Sequence, residues 1–186
     1  HVVCRRQRQM CIRDRNTSAI SFDGNSDYVI PNNVSDLPGN FTIETWMYVN
    51  SVASSGALFD SRPLSTNGQY ISAFVRSSDG KISMYVNSSH HIISDSTIPV
   101  QQWFHFAISR LSGTIKMYID GTAQTTTYSN SNTFLMPADR PLIGVRGYSL
   151  GDYYNGYIQD FRISNGLARY TASDESANIP SSPLEG

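Results

Sequence analysis

The sequence is poor in the residues that most often reveal a chemical function. Its 186 residues include two cysteines, Cys4 and Cys11, and no nearby histidine or cysteine completes the four ligands of a structural zinc site. Glutamate occurs at positions 44, 175 and 185 alone, so no strand carries the closely spaced acidic pair of a retaining glycosidase. No apolar run approaches the roughly 18 residues of a membrane span. These absences argue against a zinc protein, a glycoside hydrolase and membrane insertion.

The N-terminal stretch RRQRQMCIRDR, residues 5–15, is the most unusual part of the chain. Its arginines would suit a tail that binds nucleic acid or a membrane, and Cys4 and Cys11 would suit a disulfide. A third interpretation comes from the genetic code, because Arg5 to Asp14 back-translate, codon by codon, into the adapter of transposase-based DNA library preparation. We interpret residues 1–15 as adapter sequence outside the fold, which implies an environmental, metagenomic origin.

Excluding these residues changes the charge balance. They contain five of the fourteen basic residues and one of the fifteen acidic residues, so the net charge falls from −1 to −5. The basic tail disappears, and with it the case for a nucleic-acid partner. Because the chain opens on His1 and not on methionine, we expect its natural N-terminus to lie elsewhere.

The remaining sequence alternates like β-strands and shows no helical spacing of apolar residues. In FTIETWMYVN (41–50), Ile43, Met47 and Val49 fall on one face and Glu44 and Trp46 on the other. The same alternation appears in the segments 81–87, 103–110, 114–120 and 157–164.

Two Asp-Gly pairs, 79–80 and 120–121, predict hairpins with type I′ turns. We therefore predict an all-β protein, an antiparallel β-sandwich of the jelly-roll type, over residues 16–172. Residues 173–186 are rich in serine and proline and are predicted to form a tail that is either an extended packing strip or a linker.

Four blocks carry a family resemblance: FTIETW, WFHFAISR, IKMYIDG and GYIQDFRISNGLARYT. In order and spacing they resemble the laminin-G-like branch of the concanavalin A-like lectin/glucanase jelly rolls. The ending from Asp160 to Tyr170 is similar to versions in phage tail-fibre, virion and bacterial surface proteins. The resemblance implies a binding or structural module that often belongs to a longer chain, and it implies glycan binding and, in some members, calcium binding.

Two surfaces are candidate carbohydrate sites. The tyrosine-rich segment RGYSLGDYYNGY has the composition of an adaptable recognition loop, and Arg146 would suit an acidic sugar. The alternative is a loop that merely packs on the sandwich edge. The second surface is the sheet face opposite the core, where either a sugar or the tail would cover the aromatic rings. Trp103 is expected in the core. The loop candidates are Arg146, Tyr148, Asp152, Tyr153, Tyr154 and Asn155, and the face candidates are Trp46, Tyr48, Tyr85, His105 and Tyr118.

Calcium is the one cofactor that the sequence suggests. Asp23 and Asp27 flank a glycine turn, and Asp160 lies on a strand expected beside the first one, so the three carboxylates would supply hard oxygen ligands. The alternative is that Asp23 and Asp27 cap a turn. His90 and His91 are adjacent on a predicted strand, so they should point to opposite faces and not share a metal.

The sequence thus predicts a non-catalytic module that binds a carbohydrate or a cell-surface glycan. Its expected setting is a longer phage-fibre or bacterial surface protein, on a virion or a cell surface, among neighbouring domains. The main alternative is a purely structural appendage domain without its own ligand.

Overall fold

The computed structural model describes residues 3–4 and 19–181. Most of residues 1–15, which we interpret as adapter sequence, lie outside the described residues. The exception is Val3–Cys4, a two-residue strand that pairs with Val29–Ile30. Among the residues described, no helix is long and apolar enough to cross a membrane.

In the described part of the chain, fourteen strands form two seven-stranded antiparallel sheets, which confirms the predicted sandwich. The front sheet has the order β1-β3-β13-β5-β6-β7-β8, and the back sheet has the order β11-β10-β9-β4-β14-β2 with β12 also paired to β10. The strands are β1 Val3–Cys4, β2 Ile20–Asp23, β3 Val29–Ile30, β4 Phe41–Val49, β5 Gly56–Asp60, β6 Ser72–Val75, β7 Ile82–Val86, β8 Ser89–Ile93, β9 Trp103–Leu111, β10 Thr114–Ile119, β11 Thr122–Ala123, β12 Tyr128–Ser129, β13 Leu142–Ile143 and β14 Asn155–Asn165.

The core lies between the two sheets, where the alternating apolar residues of the strands meet. In β4, Phe41, Ile43, Met47 and Val49 are at most 1% exposed, as the alternation predicts. A β-bulge between Gln159 and Arg162 interrupts the pairing of β14 with β4. It places Asp160 at a φ of 55°, and the sequence pattern gave no sign of it.

The hairpin turns agree with the Asp-Gly predictions in one case and differ in the other. Asp120 and Gly121 have φ of 47° and 75°, the positive values of a type I′ turn. In the 79–80 hairpin, Gly80 has a positive φ, of 65°, and Asp79 does not. The connection is longer than a two-residue turn, since Gly80 donates its N–H to the carbonyl of Arg76, four residues earlier. That turn is not the predicted type.

Residues 167–178, which we call the C-terminal strap, cross the outer face of the back sheet. Tyr170 packs there with Tyr118 and Ala107 as a small second core, and the Tyr118 hydroxyl donates to the Ala172 carbonyl at 3.1 Å. A short 3-10 helix, Ser176–Asn178, ends the strap. The strap therefore belongs to the folded unit both before and after residue 172, the predicted end of the domain.

Candidate functional site

A cleft of about 240 Å³ opens on the outer face of the front sheet. Tyr85 on β7 and His90 on β8 lie opposite each other on one wall of the cleft, and Ser72 on β6 lies opposite Tyr85 on its other side. Phe74 packs edge-on against Tyr85, with ring centroids 5.8 Å apart. The lining residues are Ser55, Arg62, Phe74, Val75, Arg76, Ser77, Ser78, Tyr85, His90, Arg146 and Asp152.

A buried ion pair forms the floor of the cleft. Arg62 is 1% exposed, and its Nη2 lies 2.7 Å from Asp60 Oδ2. The fully buried Asp60 also accepts hydrogen bonds from the Ser72 hydroxyl at 2.7 Å and the Gly147 N–H at 2.9 Å. A Cβ on Gly147 would come within 2.5 Å of the Arg62 carbonyl oxygen, so only glycine allows this approach. The pair fixes the sheet floor to the loop that follows β13.

The Arg62 guanidinium also lies over aromatic rings. Its central carbon is 4.6 Å from the Tyr85 ring centroid and 5.3 Å from that of Tyr148. Arg146 approaches Tyr148 as well, at 5.6 Å, so two guanidinium groups contact one ring. These contacts hold Tyr148 and Tyr85 in fixed positions beside the cleft.

Three of the six predicted loop residues meet at the cleft. Arg146 and Asp152 line its rim and form an ion pair at 3.0 Å, and Tyr148 stacks behind them. The backbone fixes this rim, because Arg146 and Gly151 form a β-bridge and Ala57 donates its N–H to the Asp152 carbonyl at 2.8 Å.

The other three loop residues lie away from the cleft lining. Tyr154 was expected at the rim but is 1% exposed, packs edge-on against Phe22, and donates its hydroxyl to the Tyr48 carbonyl; it is a core residue, which corrects the expectation. The Asn155 side chain accepts a hydrogen bond from Asn50 at 2.7 Å. Tyr153 is half-buried.

The second predicted surface is only partly as expected. Tyr85 was expected on it, but Tyr85 lies on the front sheet, so it belongs to the cleft. His105 and Tyr118 do lie on the outer face of the back sheet, but they are 1% and 0% exposed because the strap covers them. These three residues correct the predicted face.

An aromatic patch remains uncovered at the other end of that face. Tyr157, Tyr48 and Trp103 lie side by side on three adjacent strands, and Trp46 follows on the same face. Trp103 is 40% exposed, which contradicts its expected place in the core. The rings pack edge to face at 5.5–5.7 Å around Tyr48.

Glu44 is the centre of a buried network under the strap. It is 0% exposed, and Oε2 accepts the Tyr170 hydroxyl at 2.6 Å while Oε1 accepts Arg162 Nη2 at 2.8 Å. Arg169 Nε lies 3.5 Å from Oε1 and His105 Nε2 lies 3.4 Å from Oε2. The ending that carried the family resemblance thus supplies Arg162, Arg169 and Tyr170 to one carboxylate, and Glu44 has a structural role.

The same network explains an acidic pKa. Burial by itself would raise the pKa of Glu44, but the contacts with His105, Tyr170 and Arg162 outweigh burial and lower the pKa to about 2. Burial and the bond to Glu44 raise the pKa of the Tyr170 hydroxyl. The carboxylate therefore stays ionised and the phenol stays neutral over the physiological range.

The predicted calcium ligands do not come together. Asp23 Oδ1 accepts the N–H groups of Asn25 and Ser26 at 2.8 and 2.9 Å, and Asp27 Oδ2 accepts the Asp23 N–H at 3.2 Å. Asp23 pairs with Asn155 in the sheet, and Asp160 lies five residues further along β14, roughly 15 Å away at the usual rise per residue. In the described residues, no group of three or more His, Cys, Asp or Glu side chains is arranged to hold a metal ion. The carboxylates of Asp23 and Asp27 cap a turn, and the three residues do not fit a calcium site.

The two adjacent histidines point to opposite faces, as predicted. His90 faces the cleft and bonds Ser83 Oγ through Nδ1 at 2.8 Å, whereas His91 stacks on Tyr128 at 3.7 Å. Partial burial lowers the pKa of His90, and the positive charge of Arg76 lowers it further. Asp79 acts in the opposite direction but does not cancel these two effects, so the neutral form of His90 is favoured.

Sequence reasoning missed most of the cleft. Arg62, Phe74, Arg76 and His90 come from different strands and turns, and no local motif links them. The one signal was the strand alternation, which puts Phe74 and Tyr85 on the outer faces of their strands once the strand order is known. The sequence alone gave no strand order for the front sheet.

A family model decides the relationship of this chain to known proteins. Residues 23–169 match the family described as the concanavalin A-like lectin/glucanases superfamily, in its laminin G form. The chain belongs to this superfamily. No curated protein matches the sequence significantly.

Several solved structures share the superfamily fold. A heptameric SAP-like pentraxin from Limulus polyphemus is 18% identical, with a TM-score of 0.59, over 77% of this chain and 73% of that chain. Domain 4 of AbnA, a GH43 arabinanase from Geobacillus stearothermophilus, was solved with arabinotriose. It is 18% identical, with a TM-score of 0.60, over 90% of this chain and 82% of that chain. The CBM40 of a Ruminococcus gnavus IT-sialidase, bound to α2,3 sialyllactose, is 12% identical, with a TM-score of 0.62, over 87% of this chain and 95% of that chain. At these identities the likeness shows the fold alone.

Proposed function

We propose that this laminin-G-like domain is a non-catalytic carbohydrate-binding module and that the front-sheet cleft is its binding site. The observation that carries the proposal is the lining itself: two aromatic rings, Tyr85 and Phe74, stand beside a ring of polar groups around one concavity. Sugars present apolar C–H faces and many hydroxyls, so they need this combination of ring and hydrogen-bonding groups. Structural neighbours that bind arabinotriose and sialyllactose on the same fold support the proposal.

The size of the cleft limits the ligand. Its volume of about 240 Å³ falls below the roughly 300–1,000 Å³ of sites for drug-sized ligands. The site therefore suits one or two sugar residues of a longer glycan. The rest of such a glycan would extend over the sheet surface or into solvent.

The acidic residues support a binding role without catalysis. Retaining glycosidases place two carboxyl groups about 5 Å apart, and inverting ones place them about 6.5–9.5 Å apart. Among the described residues that line the cleft, Asp152 is the one carboxylate, and it is paired with Arg146. Glu44 is on the other sheet and is fully buried.

We place this module on a virion appendage such as a phage tail fibre, or on a bacterial surface, where it would contact a host or cell-surface glycan as part of a longer chain. The support is the similarity of the Asp160–Tyr170 ending to such proteins. A glycan array probed with the 186-residue chain tests the function, with calcium and again with a chelator. We expect binding that Tyr85→Ala abolishes while Trp103→Ala, in the back-sheet patch, leaves it intact.

The outcomes separate the alternatives. Loss of binding in Trp103→Ala alone would move the site to the aromatic patch. Binding that disappears with the chelator would show that a cation is needed after all. No binding to any glycan by the folded protein would overturn the proposal and favour a structural appendage domain.

A further inference from the structure

We infer that the cleft selects sugars that carry an acidic group, a carboxylate or a sulfate ester, and that Arg146 and Arg76 are the residues that select them. This inference rests on the proposed carbohydrate-binding function and specifies its ligand class. It follows from the charges and free donors of the lining, which a neutral sugar would leave largely unused.

The lining has more positive than negative charge. Arg62, Arg76 and Arg146 line the cleft with Asp152 as the opposing carboxylate. Arg62 is neutralised from below by the fully buried Asp60, so its charge is already balanced.

The remaining cations are nearer the opening. The Arg76 side chain is 23% exposed and pairs with Asp79, at 3.1 Å, outside the lining. The Arg146 side chain is 36% exposed and pairs with Asp152. A ligand entering the cleft therefore meets two guanidinium groups, of which Arg146 has its carboxylate inside the lining and Arg76 has its carboxylate, Asp79, outside it.

The hydrogen bonding of Arg146 leaves one edge of the guanidinium unused. Asp152 accepts from Nη1 at 3.0 Å, whereas Nε is shielded from solvent and has no hydrogen-bond partner in the described structure. The edge formed by Nε and Nη2 is one of the two that bind a carboxylate or sulfate with paired hydrogen bonds. The Tyr148 ring, whose centroid lies 5.6 Å from the Arg146 central carbon, adds a cation–π contact to the group. A rotation of the half-exposed Arg146 side chain that turns this edge to the cleft would let an acidic sugar satisfy the unpaired donor.

The hydroxyls of the lining, on Ser55, Ser77, Ser78 and Tyr85, can also donate to an anionic group. His90 uses Nδ1 on Ser83, and the positive side chains nearby favour a ligand that accepts hydrogen bonds. A neutral sugar hydroxyl both donates and accepts, and it would compete with Arg146 for Asp152. An anionic group only accepts, so it matches the lining better.

Matched ligand pairs test the inference by calorimetric titration of the full chain. Each pair shares one scaffold and differs by the acidic group alone: sialyllactose with its methyl ester, oligogalacturonate with its methyl ester, and heparin oligosaccharide with its desulfated form, which keeps its carboxylates. The member that carries the group in question is called the acidic member. We expect the acidic member of at least one pair to bind about tenfold more tightly. This preference should shrink in about 0.5 M sodium chloride, where charge interactions are screened. The first two pairs report on a carboxylate and the third on a sulfate.

Two substitutions at the rim should act in opposite directions. Arg146→Gln should remove most of the preference, whereas Asp152→Asn should increase affinity for the acidic member several-fold by freeing Nη1. Asn is well suited to the φ of 47° at position 152, so the variant should keep the loop conformation. Lys116→Gln removes one positive charge from the back sheet and serves as the matched control.

The results distinguish this inference from the function on which it rests. Equal affinities within every pair, with binding still abolished by Tyr85→Ala, would overturn the acidic preference and leave a carbohydrate-binding cleft. An acidic preference unchanged in both Arg146→Gln and Arg76→Gln would overturn the assignment to the cleft. Absence of binding to every ligand, by protein with an unchanged unfolding transition, would overturn both.

Discussion

At the scale of single residues, the most consequential side chain is Glu44, which holds the strap to the back sheet. A fully buried carboxylate is tolerated because Tyr170, Arg162, Arg169 and His105 surround it. Removing one partner of a buried charge is costly, because the charge that remains has lost its compensation. The attachment of the strap to the back sheet therefore depends on each of the side chains that contact Glu44.

Tyr170→Phe should lower the free energy of unfolding by about 2 kcal/mol, because it deletes a 2.6 Å hydrogen bond to a buried carboxylate. Urea denaturation measures the loss. Tyr157→Phe is the matched control, because its ring lies in the half-exposed patch and its hydroxyl is not needed by a buried charge. Equal losses in the two variants would mean that Glu44 does not depend on this bond.

Acid should destabilise the protein through the same carboxylate. Glu44 has a folded pKa of about 2, below its ordinary value of 4.5, so the folded state binds the proton less readily than the unfolded state does. Its contribution, about 3 kcal/mol for a shift of this size, is present above pH 4.5 and is lost as the pH falls towards 2.

Urea denaturation of the wild type and Glu44→Gln across pH 2–7 measures this contribution. The wild type should lose stability through that window, and Glu44→Gln should be less stable at neutral pH with a flatter profile. Parallel profiles would contradict the prediction.

At the scale of elements, the turn of the β10–β11 hairpin contacts the strap through Gly121. Gly121 has a φ of 75°, and a Cβ there would lie 2.5 Å from the Ser176 nitrogen. Gly121 also accepts the Glu175 N–H at its carbonyl. The same residue thus forms the turn and seats the end of the strap.

Gly121→Ala should therefore cost more stability than the backbone conformation alone explains. Gly166→Ala is a close control, because Gly166 has a φ of 82° and nothing within 4 Å of an added Cβ. The control should lose about 1–2 kcal/mol from the left-handed conformation, and Gly121→Ala should lose at least about 1 kcal/mol more from the clash. Thermal unfolding of both variants checks the difference, and an equal loss would show that the strap moves aside freely.

The elements were also where sequence reasoning succeeded and failed. Alternation placed Ile43, Met47 and Val49 in the core because a strand side chain's face depends only on its position. The same reasoning put Tyr85 with Trp46, because alternation does not say which sheet a strand joins. The composition of the tyrosine-rich loop predicted a rim position for Tyr154, because composition cannot show that the ring turns inwards beside Phe22. The cleft required the strand order, which depends on long-range pairing.

At the scale of the whole molecule, the strap completes the sandwich. Glu175 accepts the N–H groups of Thr171 and Ala172 at 2.7 and 2.6 Å, and these bonds lower the pKa of its carboxyl. Ala123 donates its N–H to the Ser173 carbonyl at 2.9 Å. Of the two predictions for this segment, an extended packing strip or a linker, these hydrogen bonds agree with the packing strip for residues 173–175.

A chain ending after residue 172 should lose about 2–4 kcal/mol of unfolding free energy, because the charged acceptor Glu175 and the backbone hydrogen bonds of Ser173 and Glu175 to β11 and its turn are removed. A chain ending after residue 181 keeps every contact described here and is the control. Denaturation midpoints of the two proteins measure the effect. Equal midpoints would mean that the fold is complete at residue 172.

The strap also determines which way the molecule faces. The strap runs over the back sheet, where Asn178 lies near Arg162, while the cleft opens on the front sheet. Protein ending at residue 181 and anchored there to a sensor chip or a bead should therefore present the cleft to the solution, with the sandwich between the cleft and the support. The same arrangement would leave the cleft unobstructed on any scaffold to which the domain is joined from behind.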